Sequence, residues 1–124
     1  MLISTDVSVA DLLDRISICE IKLEHINDDA KRKNIQTELE VLKSRLKTLE
    51  LPRSVLDLVA PLRTWNEENF VQLERVLACE AANDFGERYV EAARAAFYAN
   101  AQRAGVKRQI NVLLDSEIIE EKSF

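Results

Sequence analysis

Three polar side chains near the C-terminal end of the sequence interrupt an apolar stripe, and their chemistry suits an anion. Asn100, Arg103 and Lys107 are spaced by three and four residues, which places them on one side of a helix. Because an unpaired buried charge is costly, these groups must either face carboxylates or line a cavity that holds water or an anionic ligand. The sequence leaves both interpretations open, a buried ion-pair network and a binding pocket.

Polar residues in two other predicted helices could complete such a pocket. Arg15, Glu20 and Lys22 flank the apolar seam of the first helix, and Glu67 and Glu80 are further carboxylates that the cations could face. The plainer interpretation is that these edge charges form solvated pairs between helices, each worth about 0–1 kcal/mol. The alternative is a ligand site whose candidate residues are Arg15, Glu20, Lys22, Asn66, Glu67, Asn100, Arg103 and Lys107.

No arrangement typical of catalysis or of metal binding is recognisable. The single histidine, His25, follows Cys19 by six residues, and at 3.6 residues per turn the two side chains point roughly 120° apart, which disfavours a shared zinc site. The sequence contains no glycine-rich phosphate loop and no Ser/His/Asp arrangement. We therefore predict no catalytic residue, no metal site and no cofactor.

The composition predicts one all-α domain that spans residues 1–124. An apolar fraction of 47% in 124 residues is what one globular core of this size needs. Only two glycines and two prolines are present, which leaves little turn chemistry for the many short connections of a β fold.

Charge and hydropathy restrict the partners and the compartment that we expect. The net charge of −5 argues against nucleic acids and anionic membranes, because both require a cationic surface. No apolar run approaches the roughly 20 residues of a membrane-spanning helix. Cys19 and Cys79 lie in apolar segments without a CxxC spacing or a secretory signal, so we expect reduced, buried thiols in a cytoplasmic protein.

The first two predicted helices form an antiparallel, coiled-coil-like hairpin. Ser8 and Asp11 have the spacing of a capping box, and a seam of apolar residues with spacings of three and four follows as far as Ile26. A second seam runs from Ile35 to Leu49, and the short connection between the two seams permits only an antiparallel arrangement.

Two further helices are predicted to complete a four- to five-helix bundle. Pro52 ends the second helix after Leu51, and Ser54 with Asp57 begins the third. Pro61 either kinks this third helix or splits it, and Thr64 with Glu67 has the spacing of a second capping box.

The last helix is predicted to follow a turn at Asn83–Gly86. Asp84 and Glu87 have capping-box spacing, and the helix then runs to about Leu114. We expect its inner face to consist of Tyr89, Ala93, Ala96, Phe97, Ala104, Ile110 and Leu114.

An extended C-terminal tail is predicted to dock on the bundle. Ile118, Ile119 and Phe124 are its apolar residues, and we expect them to pack beside Leu2 and Ile3.

Several short segments stand out together, namely Asp11–Ile16, Glu20–Lys22, Asn66–Glu67, Asp84–Gly86, Asn100, Arg103, Lys107–Arg108, Ile110–Asn111 and Glu120–Phe124. In combination they resemble a family of small bacterial proteins known only as a domain of unknown function. The resemblance spans nearly the whole chain, and its ending is the most specific part. It implies a stand-alone helical protein, with no catalytic residue to carry over. Ala101 and Phe70 stand where the family pattern has Asp and Trp, which weakens any catalytic role near Asn100.

Two hypotheses for the function follow. The first is a non-catalytic homo-oligomeric binding or scaffold module, most simply a homodimer, because the chain is too small to cover every apolar stripe by itself. Such a module could also bind another protein. The alternative is a small helical enzyme or metabolite-binding protein that holds an anion between helices, similar by fold analogy alone to all-helical chorismate mutases. Whether the chain is an enzyme stays open at this point.

Overall fold

The computed structural model describes residues 1–123 and confirms the all-α prediction. Five helices follow one another along the chain, and no strand occurs in the described range. None of these helices combines the length and the apolar character that crossing a bilayer requires. Their bounds are α1 Val9–His25, α2 Asp29–Leu46, α3 Arg53–Leu56, α4 Val59–Ala81 and α5 Glu87–Leu113.

Helices α1 and α2 form the predicted hairpin. The Ser8 hydroxyl accepts a hydrogen bond from Asp11 N at 3.1 Å, and Asp28 caps α2 by accepting one from Lys31 N at 2.9 Å. Leu12, Ile16 and Cys19 of α1 pack against α2 in one apolar cluster. Helix α2 packs mainly against α1, so most of its surface is exposed.

The end predicted for α2 was wrong by five residues. The helix ends at Leu46, not at Leu51, although Pro52 lies where the sequence analysis placed the break. The Thr48 hydroxyl donates a hydrogen bond to Arg45 O at 2.7 Å, and the Thr48 backbone N–H donates one to the same oxygen at 3.1 Å. This local turn competes with the helical bonding pattern and explains the early end.

The region around Pro61 consists of two helices in series. The break falls at Asp57–Leu58, ahead of the proline, and Pro61 occupies the first turn of α4, where a missing N–H donor costs nothing. Thr64 lies inside α4 and donates to Ala60 O at 3.1 Å, so the predicted capping box at Thr64 was wrong. The cap predicted at Ser54 was also wrong, because the N-cap position of α3 is Pro52.

Helices α4 and α5 form a long antiparallel hairpin around the predicted turn. Asn83 adopts a positive φ of 52°, and Asp84 accepts a hydrogen bond from Gly86 N at 3.2 Å. Gly86, and not Asp84, occupies the N-cap position of α5, so the predicted box with Glu87 was wrong. Phe97 is exposed rather than buried, and the buried small and apolar residues of α5 are Ala92, Ala96, Ala99, Val106 and Ile110.

The largest core cluster joins the N-terminal end of α1 to α3, α4 and the C-terminal half of α5. Leu62 and Ile110 are fully buried at its centre, next to Leu13 and Val55. Cys19 and Cys79 are both buried and unlinked, as predicted.

The C-terminal tail docks on α5 through charges. Glu120 lies 3.3 Å from Lys107 Nζ, and Glu121 lies 2.8 Å from Arg108 Nη1. The contact predicted for Ile118 and Ile119 beside the N-terminal residues was wrong, because both isoleucines are exposed, as are Leu2 and Ile3. Phe124, the third residue predicted to dock, lies outside the described residues.

Candidate functional site

A buried carboxylate is the centre of the polar site. Asp14 of α1 receives two hydrogen bonds from Arg103, Nε to Oδ1 at 3.0 Å and Nη2 to Oδ2 at 2.8 Å. The side-chain amide of Asn66 donates to Asp14 Oδ1 at 2.9 Å and to Ser17 Oγ at 3.3 Å. Arg103 also donates to Asn100 Oδ1 at 2.6 Å. The site thus joins α1, α4 and α5 through one carboxylate, which is held by a bidentate, charge-assisted pair.

A buried lysine adds a second cation to the same site. Lys107 Nζ lies 2.7 Å from Asp11 Oδ1 and 3.4 Å from Asp14 Oδ2, and the tail carboxylate of Glu120 completes its surroundings. The side chains of Lys107 and Asp14 are only 7% and 4% exposed. Two cations therefore face three carboxylates, and neither positive charge is left without a counter-charge.

The pKa directions agree with this geometry. Burial raises the pKa of Asp14. Hydrogen bonds from Arg103 and Asn66 and the positive charges of Arg103 and Lys107 lower it by more, so the pKa of Asp14 lies below its ordinary value. Burial lowers the pKa of Lys107, but the hydrogen bond and charge of Asp11 and the charge of Asp14 outweigh burial and raise the pKa overall. Both groups are therefore charged at neutral pH, and the network acts as a salt bridge between helices.

Acid is expected to destabilise the fold partly through Asp14. Because its pKa is lower in the folded than in the unfolded chain, its contribution to stability is present above the unfolded value of about 3.8 and is lost as the pH falls below it. The free energy of unfolding, measured by urea denaturation between neutral pH and about pH 3, should therefore decrease more steeply for the wild-type protein than for Asp14→Asn. Equal slopes for the two proteins would contradict this role of Asp14.

The structure brings together four of the eight predicted site residues. Asn66, Asn100, Arg103 and Lys107 share the network around Asp14. Their carboxylate partners are Asp11, Asp14 and Glu120, and not the acids of α1 and α4 that the sequence analysis suggested, Glu20, Glu67 and Glu80.

The other four predicted residues lie outside this network. Arg15 pairs with Glu38 of α2 at 3.6 Å, and Glu20 lies between Lys43 and Arg63. Lys22 is half-buried on α1 and has no ion-pair partner among residues 1–123. Glu67 accepts a hydrogen bond from His25 at 2.7 Å.

The sequence analysis missed four residues of the site, Asp11, Asp14, Ser17 and Glu120. A second seam on α1, Ala10, Asp14, Ser17 and Ile21, has spacings of four, three and four residues, and every member of it is buried. This heptad signal was present in the sequence, but two of its four positions are polar, so it is hidden in an analysis of apolar residues alone.

An apolar surface on the α4–α5 hairpin continues beyond the end of α1. On α4, Asn66 contacts Asp14 of α1 and Phe70 stacks on His25 at 4.8 Å, and Leu73 and Leu77 continue this stripe with a four-residue spacing between them. Helix α1 ends at His25, whereas α4 runs 11 residues past Phe70. At 1.5 Å per residue, α4 therefore extends about 16 Å beyond Phe70, the residue that contacts the end of α1.

Comparison with known proteins agrees with the resemblance found in the sequence. Residues 3–124 match the model of a family whose description is a family of unknown function, DUF6165. The comparison with curated proteins and the comparison with solved structures each gave no match.

Proposed function

The chain belongs to the DUF6165 family, a family of unknown function, and we propose that it is a non-catalytic protein that pairs with a second copy of itself through the hairpin of α4 and α5. The observation that carries this proposal is the apolar surface beyond the end of α1. We call this surface the tip face and define it by Leu73, Leu77, Val90 and Ala93.

The exposure of the tip face supports association. Leu73, Leu77 and Val90 are 46%, 61% and 49% exposed, and the α4 stripe of Leu73 and Leu77 begins at the buried Asn66, which contacts α1. On α5, Ala93 precedes Asn100 by seven residues and therefore lies on the same side of the helix, and Val90, three residues before Ala93, lies at the edge of that side. Large apolar side chains that are exposed on one part of a protein surface are typical of an interaction site.

Charge complementarity favours a second copy of this chain as the occupant. Glu80 follows Leu77 by three residues on α4, and Arg94 follows Val90 by four residues on α5. A twofold pair with α4 of one copy over α5 of the other would place Glu80 of each copy opposite Arg94 of its partner. The same apolar patch is then buried on both copies.

The polar site favours a non-catalytic role over anion binding. An anionic ligand near Lys107 would have to displace Asp11 or Glu120, and Arg103 is already held by both oxygens of Asp14. An additional anion would meet three carboxylates and two cations, so its electrostatic attraction is weak. The metabolite-binding alternative therefore has less support than self-association.

Sedimentation equilibrium at micromolar to submillimolar concentration tests the proposal. We expect the wild-type protein to approach twice the chain mass and Leu77→Glu to remain at the chain mass, because the new carboxylate would be buried without a partner in the dimer. Val41→Glu is the matched control, since Val41 is 46% exposed on α2, away from the tip face. It should associate as the wild type does.

Two results would contradict the proposal. One is a wild-type chain that stays monomeric over the whole concentration range. The other is a Leu77→Glu protein that associates as strongly as the wild type while its circular dichroism spectrum shows the same helix content.

A further inference from the structure

A second group of side chains, separate from the polar site and from the tip face, joins the C-terminal end of α1 to α4. His25 Nε2 lies 2.7 Å from Glu67 Oε1, and Glu24 precedes His25 on the chain. One ligand atom from each of these three residues lies within 4.8 Å of the other two. We call Glu24, His25 and Glu67 the α1–α4 triad.

The donor set of the triad is that of a transition-metal site. Imidazole nitrogen and carboxylate oxygen bind Zn²⁺ at about 2.0–2.2 Å, and three protein ligands with an open fourth position are common in zinc proteins. Tetrahedral bonds of this length separate the ligand atoms by about 3.4 Å. The triad therefore needs only side-chain adjustment around an ion, and His25 and Glu67 would move apart slightly.

The second carboxylate oxygen of Glu67 has no hydrogen-bond partner among the described residues. This oxygen, Oε2, is buried, while Oε1 accepts the bond from His25. A buried carboxylate oxygen without a partner is costly, and a cation bound through both oxygens of Glu67 would satisfy it. The triad also lies at the C-terminal end of α1, where the helix dipole favours positive charge.

Arg63 lowers the metal affinity that we expect of the triad, because it competes for Glu24. Its guanidinium contacts Glu24 and lies 3.7 Å from Glu20, so one of the two negative charges of the triad is already offset. Glu24 must release Arg63 to coordinate an ion. Arg63 is thus a competitor for the site, and its removal should strengthen metal binding.

We propose that Glu24, His25 and Glu67 bind one divalent transition-metal ion of the zinc class and thereby link the end of α1 to α4. The remaining coordination positions are taken by water, because the triad supplies three ligands at the surface. The site does not depend on the proposed pairing of two copies, since the three residues belong to one chain and lie outside the tip face.

Titration of the full chain with Zn²⁺ by calorimetry, and with Co²⁺ by visible absorption, tests this proposal. We expect one ion per chain and ligand-field bands of Co²⁺ with a nitrogen ligand. Because the chain contains one histidine, its imidazole resonances in the NMR spectrum report on this site alone, and they should shift or broaden with Co²⁺.

Matched variants separate the triad from adventitious binding. Glu67→Gln keeps the side-chain shape and should weaken Zn²⁺ binding at least about tenfold, as should His25→Ala. Arg63→Gln should strengthen it. Glu80→Gln makes the same change of charge at the far end of α4, where Glu80 accepts a hydrogen bond from Tyr89, and should leave the affinity unchanged.

Absence of a saturable signal with either ion would overturn the proposal. So would an affinity that Glu67→Gln and His25→Ala leave unchanged in proteins with wild-type circular dichroism spectra, because the ion would then be bound elsewhere.

Discussion

Replacement of Asp14 by alanine should destabilise the protein by about 3–5 kcal/mol, which is the usual cost of breaking a buried ion pair from one side. The substitution leaves Arg103 without its bidentate partner and removes one of the carboxylates around the buried Lys107 ammonium. Asn66 also loses the acceptor of its shortest hydrogen bond. Since a domain of this kind has a total stability of about 5–15 kcal/mol, the loss is a large fraction of the whole. Urea denaturation followed by circular dichroism measures it.

A surface ion pair provides the control for this prediction. Glu38→Gln removes the partner of Arg15 in a pair whose side chains are both about half exposed, and it should cost only about 0–1 kcal/mol. If Asp14→Ala cost no more than Glu38→Gln, the network around Asp14 would not hold the three helices together.

Leu62→Ala should cost about 2–5 kcal/mol, because it removes a fully buried side chain and leaves a cavity. Leu62 lies in the cluster that joins α1, α3, α4 and α5, so the loss affects several packing contacts at once. The measurement is again the free energy of unfolding in urea.

Leu56→Ala is the matched control for Leu62→Ala. Leu56 is exposed, and its truncation should change the stability by no more than about 0.5 kcal/mol. A similar cost for the two substitutions would mean that the cluster around Leu62 is not the main core.

The helices were predictable because their signals are local in the sequence. The spacing of Leu12, Ile16 and Cys19 places these residues on one face, and capping at Ser8 and Asp28 depends on residues three positions away. The break between α3 and α4 was less accessible to sequence analysis. A proline is compatible with the first turn of a helix as well as with a break, so Pro61 alone does not locate the interruption.

The cations of the polar site could be predicted from the sequence, but their carboxylate partners could not. Asn100, Arg103 and Lys107 stood out because they interrupt an apolar stripe, but their partner Asp14 lies 89 residues from Arg103 in the chain. Which carboxylate faces which cation depends on how α1 crosses α5, and a single sequence contains no local signal for that crossing. For the same reason the proximity of His25 to Glu67, 42 residues apart, was not foreseen.

The proposed function requires the tip face to be an interface between two copies. An isotope-filtered NOE experiment on an equal mixture of labelled and unlabelled protein tests this directly, because it detects only contacts between different molecules. We expect intermolecular contacts that link the methyl groups of Leu73 and Leu77 in one copy to Val90 in the other. Absence of such contacts at submillimolar concentration, or their restriction to a different surface such as that around Val41 on α2, would contradict the proposed pairing through the tip face.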